Sequence, residues 1–465
     1  MNGLDNKLVN KGIPQTDFLV NYNVTSEVFW NFHWKSKEDL VSDLFWYLQR
    51  SIWLWVIPQN TLHIVPYMPS NEYLSYLSDL KWKGLSQEDM ILLSDAKSMA
   101  DRALSLNSSD FYSLNFISTW IAQDLMWVLW NSSRNVVMDN LWLEKEVNEA
   151  NSKSYLRTRF SDLMVNWQVV DLNYSWKDEL KYYFTYYSNL WYSCILRLDR
   201  SVSWVWMKKI DSYEDLEKIF YLIESNRSTV WNKILIEIAI DPDRIKSSPS
   251  CLGYVSKDWD IDLFWFTDQK LDWSVHQWNT VIKEDDKNEK LSYMKDYSLH
   301  VWSKINNELY VNWFFWVDFM LIDIDWYSDK DLWFIFNTGV SYINVWDKTY
   351  AMVLCEVNRR ITWAYASPMI CNLFDSYISD ALISNYNTFS YNFTDKFNNF
   401  QEVQNYIILK LRKNWLLFDP SWDSNKYGVF PFSIQEWKLQ VVIVAKDEEH
   451  EKYIINKLRY LLEEK

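Results

Sequence analysis

Four side chains could do chemistry together: Asp318 in VDFMLIDID, and Glu356, Asn358 and Arg360 at the end of YAMVLCEVNRR. Both segments read as strands, because β-branched and apolar residues dominate and the first alternates apolar with acidic positions. Residues i and i+2 of a strand share a face, so Glu356, Asn358 and Arg360 would line one side. An adjacent antiparallel strand would bring Asp318 to the same side. Two carboxylates and an amide oxygen suit a hard cation such as Mg²⁺. Arg360 could then hold a phosphate through its planar fork. The 30 residues between Asp325 and Glu356 make the strand pairing the weakest step, and leave Asp323 and Asp325 as rival ligands.

A second group lies in WYSCILRLDRSVSWVWMKKI, residues 191–210. A buried strand bearing one cation, Arg197, leads through Ser201, Ser203, Trp204 and Trp206 into another strand. The tryptophans are out of place in a loop that otherwise consists of small residues. The composition shows the same inversion over the whole chain: 30 Trp and 6 Gly in 465 residues, where Gly ordinarily makes up about 7%. Together the two counts equal an ordinary glycine content. Asp325-Trp326, Lys413-Asn414-Trp415 and Glu436-Trp437-Lys438 also put indoles among turn residues, where Gly supplies φ > 0. A UGA codon meaning glycine but read as tryptophan produces this pattern. With glycine restored the loop becomes RSVSGVGMKK, whose backbone N–H groups could close over phosphate oxygens.

VDFML followed by E-x-N-x-R-x-T resembles the metal-binding end of the ATP-grasp ligases, although Trp363 stands where those enzymes have glycine. The resemblance implies ATP and Mg²⁺ as cofactors. It also implies amide or peptide bond formation between a small carboxylate and an amine, through an acyl phosphate. Asp318, Glu356 and Asn358 would hold the metal. Lys153, in an N-x-K that opens a helix, would join Arg197 and Arg360 on the phosphates, with Arg197 at a strand position that commonly carries Lys. Ser201, Ser203, Trp204 and Trp206 would belong to the phosphate flap. In KILIEIAID, Glu237 would lie near the adenine amino group, and the backbone of Ile238 and Ala239 along the ring edge. The segment FTDQKLDWSVHQWN is similar to one in the pheganomycin-type peptide ligases, and makes Gln269 and His276 candidates for substrate contacts. The rival reading is a nucleotide-binding relative without ligase chemistry, acting as regulator or scaffold.

The elements that must position these groups suggest an α/β (α+β) chain in four parts. Residues 1–150 form an α/β domain preceding the nucleotide fold; 151–240 the lobe with the phosphate loop; 241–375 the lobe with the metal site; 376–465 a closing α/β module. In the first part TLHIVPYM and NVVMD read as strands, and SKEDLVSDLFWYLQRSI and SQEDMILLSDAKSMADRALSL as helices. His33 and His63 there read as structural. Helices are also expected over NSKSYLRTRFSDLMV, SYEDLEKIFYLIESN, QEVQNYIILKLRKN and EHEKYIINKLRYLLEEK. The net charge of −15 argues against a nucleic-acid partner. No secretory leader or membrane-length apolar run is visible. Cys194, Cys251, Cys355 and Cys371 show no zinc spacing and read as buried thiols of a reduced, cytoplasmic protein, with a homodimer compatible.

Overall fold

The computed structural model describes residues 18–21, 61–65, 69–81, 90–92, 114–116, 149–150, 152–199, 207–225, 233–255, 260–272, 275–282, 289–309, 313–337, 339–345, 348–358, 367–368, 370–371, 374, 378, 380–391, 397–420, 426–434 and 438–463. Three sheets organise them.

The first is a parallel sheet of short strands, ordered β3-β2-β1-β4: β1 (Phe18–Asn21), β2 (Thr61–Val65), β3 (Met90–Leu92) and β4 (Leu114–Phe116). Met90–Leu92 corrects the helix expected over SQEDMILLSDAKSMADRALSL. Its apolar run pairs in parallel with His63–Val65, and a short apolar run cannot be told from a helical one by periodicity alone. SKEDLVSDLFWYLQRSI, NVVMD and His33 lie outside the described residues. Helix α1 (Asn71–Lys81) follows β2, and packs Tyr73, Leu74, Tyr76 and Leu77 into the same core as the C-terminal strands.

The second sheet is antiparallel, ordered β5-β8-β6-β7. Helix α2 (Lys153–Arg159) precedes it. Strand β5 (Trp167–Asp171), helix α3 (Trp176–Ser188), β6 (Cys194–Leu198), β7 (Met207–Ile210), helix α4 (Tyr213–Ser225) and β8 (Lys233–Ile238) then follow in turn. Alternation decides which side each residue takes. Cys194, Leu196 and Leu198 are buried against α3 and α4, so Ile195 and Arg197 face the other way. On β8, Ile234, Ile236 and Ile238 join that core, while Leu235 and Glu237 share the side of Arg197.

The third sheet has nine strands, ordered β13-β14-β12-β9-β10-β11-β15-β17-β16. They are β9 (Ile245–Val255), β10 (Ile261–Asp272), β11 (Val275–Ile282), β12 (Trp313–Asp323), β13 (Ser341–Val345), β14 (Lys348–Asn358), β15 (Leu382–Ser390), β16 (Gly428–Ile434) and β17 (Lys438–Ala445). Helix α5 (Glu289–Leu309) leads into β12; helices α7 (Phe400–Lys413) and α8 (Glu448–Glu463) accompany the last strands. The strands of residues 376–465 therefore extend the sheet that carries Asp318 and Glu356. Gly253 is tied to its place in β9, since a Cβ there would meet Phe315 at 2.4 Å.

The segment between Asp325 and Glu356 folds as helix α6 (Asp329–Ile335), with a Ser328–Asp331 capping box, followed by the edge strand β13. It grips the 151–240 lobe at several points. The Asn166 N–H donates to Ile335 O at 2.8 Å, the Asn337 amide reaches Met164 O at 3.1 Å, and the Tyr192 hydroxyl donates to Asp331 at 2.6 Å. The extra residues thus brace β12 and β14 against β5 instead of displacing them.

Trp191 and Trp415 are the non-glycine residues with positive φ among the described ones, at 68° and 57°. Each follows a helix in the same hydrogen-bonded stop. After α7, Leu416 N donates to Leu411 O at 3.0 Å and Trp415 N to Arg412 O at 3.1 Å; after α3, Tyr192 N and Trp191 N do the same toward Tyr187 and Ser188. This is the Schellman pattern, and the αL position it contains is usually glycine. The indoles gain little there, being 94% and 71% exposed. An L side chain in αL costs about 1–2 kcal/mol. Trp191→Gly or Trp415→Gly should therefore raise the urea midpoint of the tryptophan-containing chain. Unchanged or lowered midpoints for both would contradict this reading of the turns.

Candidate active site

The two acids expected to meet do meet. Asp318 and Glu356 are directly opposed in the β12–β14 register, just before a bulge, and Asn358 lies opposite Trp316 two pairs further on. The row continues through Ser250 on β9 and Thr267 on β10. Ser250 Oγ donates to Asp318 Oδ1 at 2.5 Å, and the Gln269 amide donates to both groups. Gln269, expected at the substrate, is thus turned onto the carboxylate. His276 lies near the end of the same hairpin, opposite Leu271. Burial pushes the Asp318 carboxyl up to about 7, and the neighbouring Glu356 charge adds to it; hydrogen bonds from Ser250 and Gln269 offset part of the rise. Asp323 and Asp325, the rival ligands, are engaged elsewhere: Lys348 Nζ lies 3.3 and 3.1 Å from them.

Helix α2 brings cations to the other side of Glu356. Ser152 caps it, its Oγ accepting from Tyr155 N at 3.2 Å. Asp199, at the end of β6, accepts from the Ser152 hydroxyl at 2.8 Å and from Ser154 N at 2.6 Å, which fixes the helix start against that strand. Lys153 Nζ consequently lies 3.5 Å from Glu356 Oε1, on a side chain only 7% exposed. One turn later, Arg157 shares the same helix face.

Arg157, Glu237 and Arg197 form a buried ion triad. Arg157 Nη2 lies 2.6 Å from Glu237 Oε2, and Arg197 Nε lies 2.5 Å from Glu237 Oε1. Arg197 stands opposite Leu235 and diagonal to Glu237 in the β6–β8 register, which puts both on one face. Burial alone would raise the Glu237 carboxyl, but the Arg157 and Arg197 charges outweigh it and hold it below the usual 4.5. A carboxyl depressed in the fold contributes stability above its unfolded value and loses it as pH falls. Urea stability should therefore drop as pH falls below about 4.5, and Glu237→Gln should lack that part of the drop. The same acid slope in both proteins would show that the triad does not bind Glu237 as a carboxylate.

The triad changes the reading of the adenine end. Glu237 is 2% exposed and held by two guanidiniums, so its carboxylate is not directed at an amino group of a base. The Ile238 N–H donates to Asn166 O at 3.1 Å, and the Ala239 N–H to Ser193 O at 2.9 Å. Both donors are thus engaged by the backbone just before β5 and β6. Ser201, Ser203, Trp204, Trp206, Arg360 and Trp363 lie outside the described residues. Arg157, Asp199 and Ser250 were not foreseen. Only the i, i+4 spacing of Lys153 and Arg157 carried a signal.

Among the described residues, no three His, Cys, Asp or Glu side chains converge in the manner of a closed metal cage. Mg²⁺ does not need one; it keeps several waters and commonly takes one or two carboxylates together with substrate phosphates. The opposed Asp318 and Glu356, with Asn358 beside them, fit that kind of site. The four cysteines form no disulfide; Cys194 and Cys251 are buried and Cys355 and Cys371 partly so.

No protein-family model matches the chain, and no curated protein is similar to it in sequence. Solved structures are similar in fold. N5-carboxyaminoimidazole synthase from Aspergillus clavatus, in complex with ADP and 5-aminoimidazole ribonucleotide, superposes over 97% of this chain and 99% of its own, with a TM-score of 0.53 at 10% identity. This is an ATP-grasp fold. The carboxyaminoimidazole ribonucleotide synthase structure from the same organism complexed with ATP gives 0.53 at 9% identity, covering 97% of this chain and 99% of that one. N5-carboxyaminoimidazole synthetase from Staphylococcus aureus gives 0.50 at 10% identity, covering 96% and 98%. The ATP-grasp fold accounts for the two lobes whose sheets meet at α2. Among the described residues no helix is long and apolar enough to cross a membrane.

Proposed function

We propose that the chain is an ATP-dependent carboxylate–amine ligase that forms an amide or peptide bond through an acyl phosphate. One observation carries the reading: Asp318 and Glu356 are opposed across two strands, with Lys153 Nζ 3.5 Å from Glu356. Carboxylates for a metal thus border a cation for phosphate, on a fold whose neighbours hold ADP and ATP. Mg²⁺, when bound by Asp318, Glu356 and Asn358, would screen the charge on the phosphate oxygens. Lys153 and Arg197 would neutralise the rest; the sequence motifs give Arg360 and the 201–207 loop a share in that task. A substrate carboxylate oxygen attacks the γ-phosphorus and ADP leaves. The amine nitrogen then attacks the acyl carbon, phosphate leaves, and the amine proton passes to solvent. Positioning and charge neutralisation supply the catalysis.

The FTDQKLD segment keeps amino acids and peptides first among the acceptors and donors to try, in a cytoplasmic setting. ADP release should be measured against a panel of amino acids, dipeptides and other small acids paired with amines. Release that requires one acid and one amine is the expected result. Tight ATP binding with no release for any pair would favour the nucleotide-binding regulator instead.

We also infer that many printed tryptophans are glycines in the protein's own cells. The αL backbone at Trp191 and Trp415 supports this independently of composition. Peptide mass spectrometry of the native protein should find glycine at 191, 204, 206, 363 and 415. Tryptophan masses at 191 and 415 would end the inference.

A further inference from the structure

Arg157 touches no substrate in the reaction proposed above, yet it is 2% exposed and committed on every side. Its Nε and Nη2 donate to Glu237 Oε2 at 3.2 and 2.6 Å, and its Nη1 donates to the carbonyl of Cys355 at 3.0 Å. Cys355 immediately precedes Glu356 on β14. The other oxygen of Glu237 meets Arg197 Nε on β6. One guanidinium on α2 therefore ties the backbone beside the metal-side carboxylate to the anchor of the phosphate-side cation. β14 belongs to one lobe, and β6 and β8 to the other.

We propose that Arg157 is a positioning residue: it sets the separation between the Asp318–Glu356 pair and Arg197, so that a metal and a phosphate can be held at once. The proposal rests on the nucleotide reading of this site. The charges support it. Two guanidiniums and one carboxylate leave a single positive charge. Arg197 displays it, being 17% exposed in its side chain against 3% for Arg157. Arg197 meets Glu237 at Nε, the inner nitrogen, at 2.5 Å. A planar fork is needed for Arg157's task, because three donors must point at two acceptors in fixed directions. An ammonium keeps the charge and loses that geometry.

Two probes, ADP and Mn²⁺, separate positioning from simple support of the fold. In the parent protein Mn²⁺ should strengthen ADP binding, since Asp318 and Glu356 would hold the metal and its charge would offset that of the phosphates. Arg157→Lys should bind metal-free ADP within about threefold of the parent. Its Mn²⁺ enhancement should fall by about tenfold or more, since small displacements of paired groups are costly at such sites. Because Arg157→Lys could disturb folding by weakening its hold on Glu237, the pair Arg157→Met with Glu237→Gln serves as a second variant. It removes Arg157 and its carboxylate partner together, which is commonly tolerated, and leaves Arg197, the more exposed of the two guanidiniums. The same selective loss of Mn²⁺ enhancement is expected there. An unchanged Mn²⁺ enhancement in either folded variant would overturn the proposal. So would an equal loss of ADP affinity with and without Mn²⁺, which would make Arg157 an ordinary phosphate-side cation. If the parent itself bound no ADP with Mn²⁺ present, the nucleotide reading would fail, and the proposal with it.

Discussion

Glu356→Gln is expected to lower ADP formation by about 10²–10³-fold while leaving nucleotide affinity within about tenfold. A carboxylate facing a metal acts mainly on charge that develops during phosphoryl transfer, so its loss appears in turnover more than in binding. Glu356 is placed for that role by its pairing with Asp318 and by Lys153 at 3.5 Å. The substitution is close to isosteric and its side chain is 27% exposed, so the fold should survive. Turnover is to be measured with the acid and amine that give ADP release, at saturating Mg²⁺. Near-normal turnover in Glu356→Gln would remove β14 from the metal site. Asp323 and Asp325 would not inherit the role easily, since they pair with Lys348.

Arg197→Ala should weaken ATP binding by about ten- to a hundredfold, because a charged phosphate contact is worth roughly 1.5–3 kcal/mol. Arg197→Lys should recover most of this, provided the ammonium still reaches Glu237. Calorimetric titration with ATP and Mg²⁺ gives the comparison. The triad adds a control that the sequence could not offer. In Arg197→Ala, Glu237 keeps Arg157 at 2.6 Å, so the carboxylate is not left alone and the protein should still fold. Unchanged ATP affinity in a folded Arg197→Ala would show that Arg197 only balances Glu237. The phosphate role would then pass to Lys153, and beyond it to Lys208 or Arg200.

The parts legible in the sequence were those written in local alternation. Asp318, Glu356 and Asn358 could be placed on one face because strand residues at i and i+2 share a side, and a single pairing then completed the set. Arg197 was visible for the same reason, as one cation in an otherwise apolar strand. What remained hidden depends on contacts between elements far apart in the chain. Arg157 looks like any solvated helix cation until β8 and β14 close on it. Glu237 reads as a strand acid facing a pocket, and only the approach of two guanidiniums makes it an internal counter-ion. Ser250 and Gln269 reach Asp318 through the order of β10, β9 and β12, which no motif spells out. The segment after Asp325 looked like a threat to the β12–β14 pairing. It braces that pairing instead, because its helix and the turn after it fasten to Asn166 and Met164 while its edge strand pairs with β14. The turns at Trp191 and Trp415 stand between the two cases. Polar neighbours marked Trp415 as a glycine-like site, whereas the φ values come only from the folded chain.

The measurement that bears most directly on the ligase reading follows oxygen atoms. A carboxylate substrate from the panel is prepared with a heavy oxygen isotope in both carboxyl positions and turned over with ATP, Mg²⁺ and the amine. An acyl phosphate requires that one carboxyl oxygen leave with the phosphate. The account predicts ADP as the nucleotide product, with one heavy oxygen in each phosphate released. The other heavy oxygen stays in the amide carbonyl; phosphate released without label, or AMP formed in place of ADP, would contradict it.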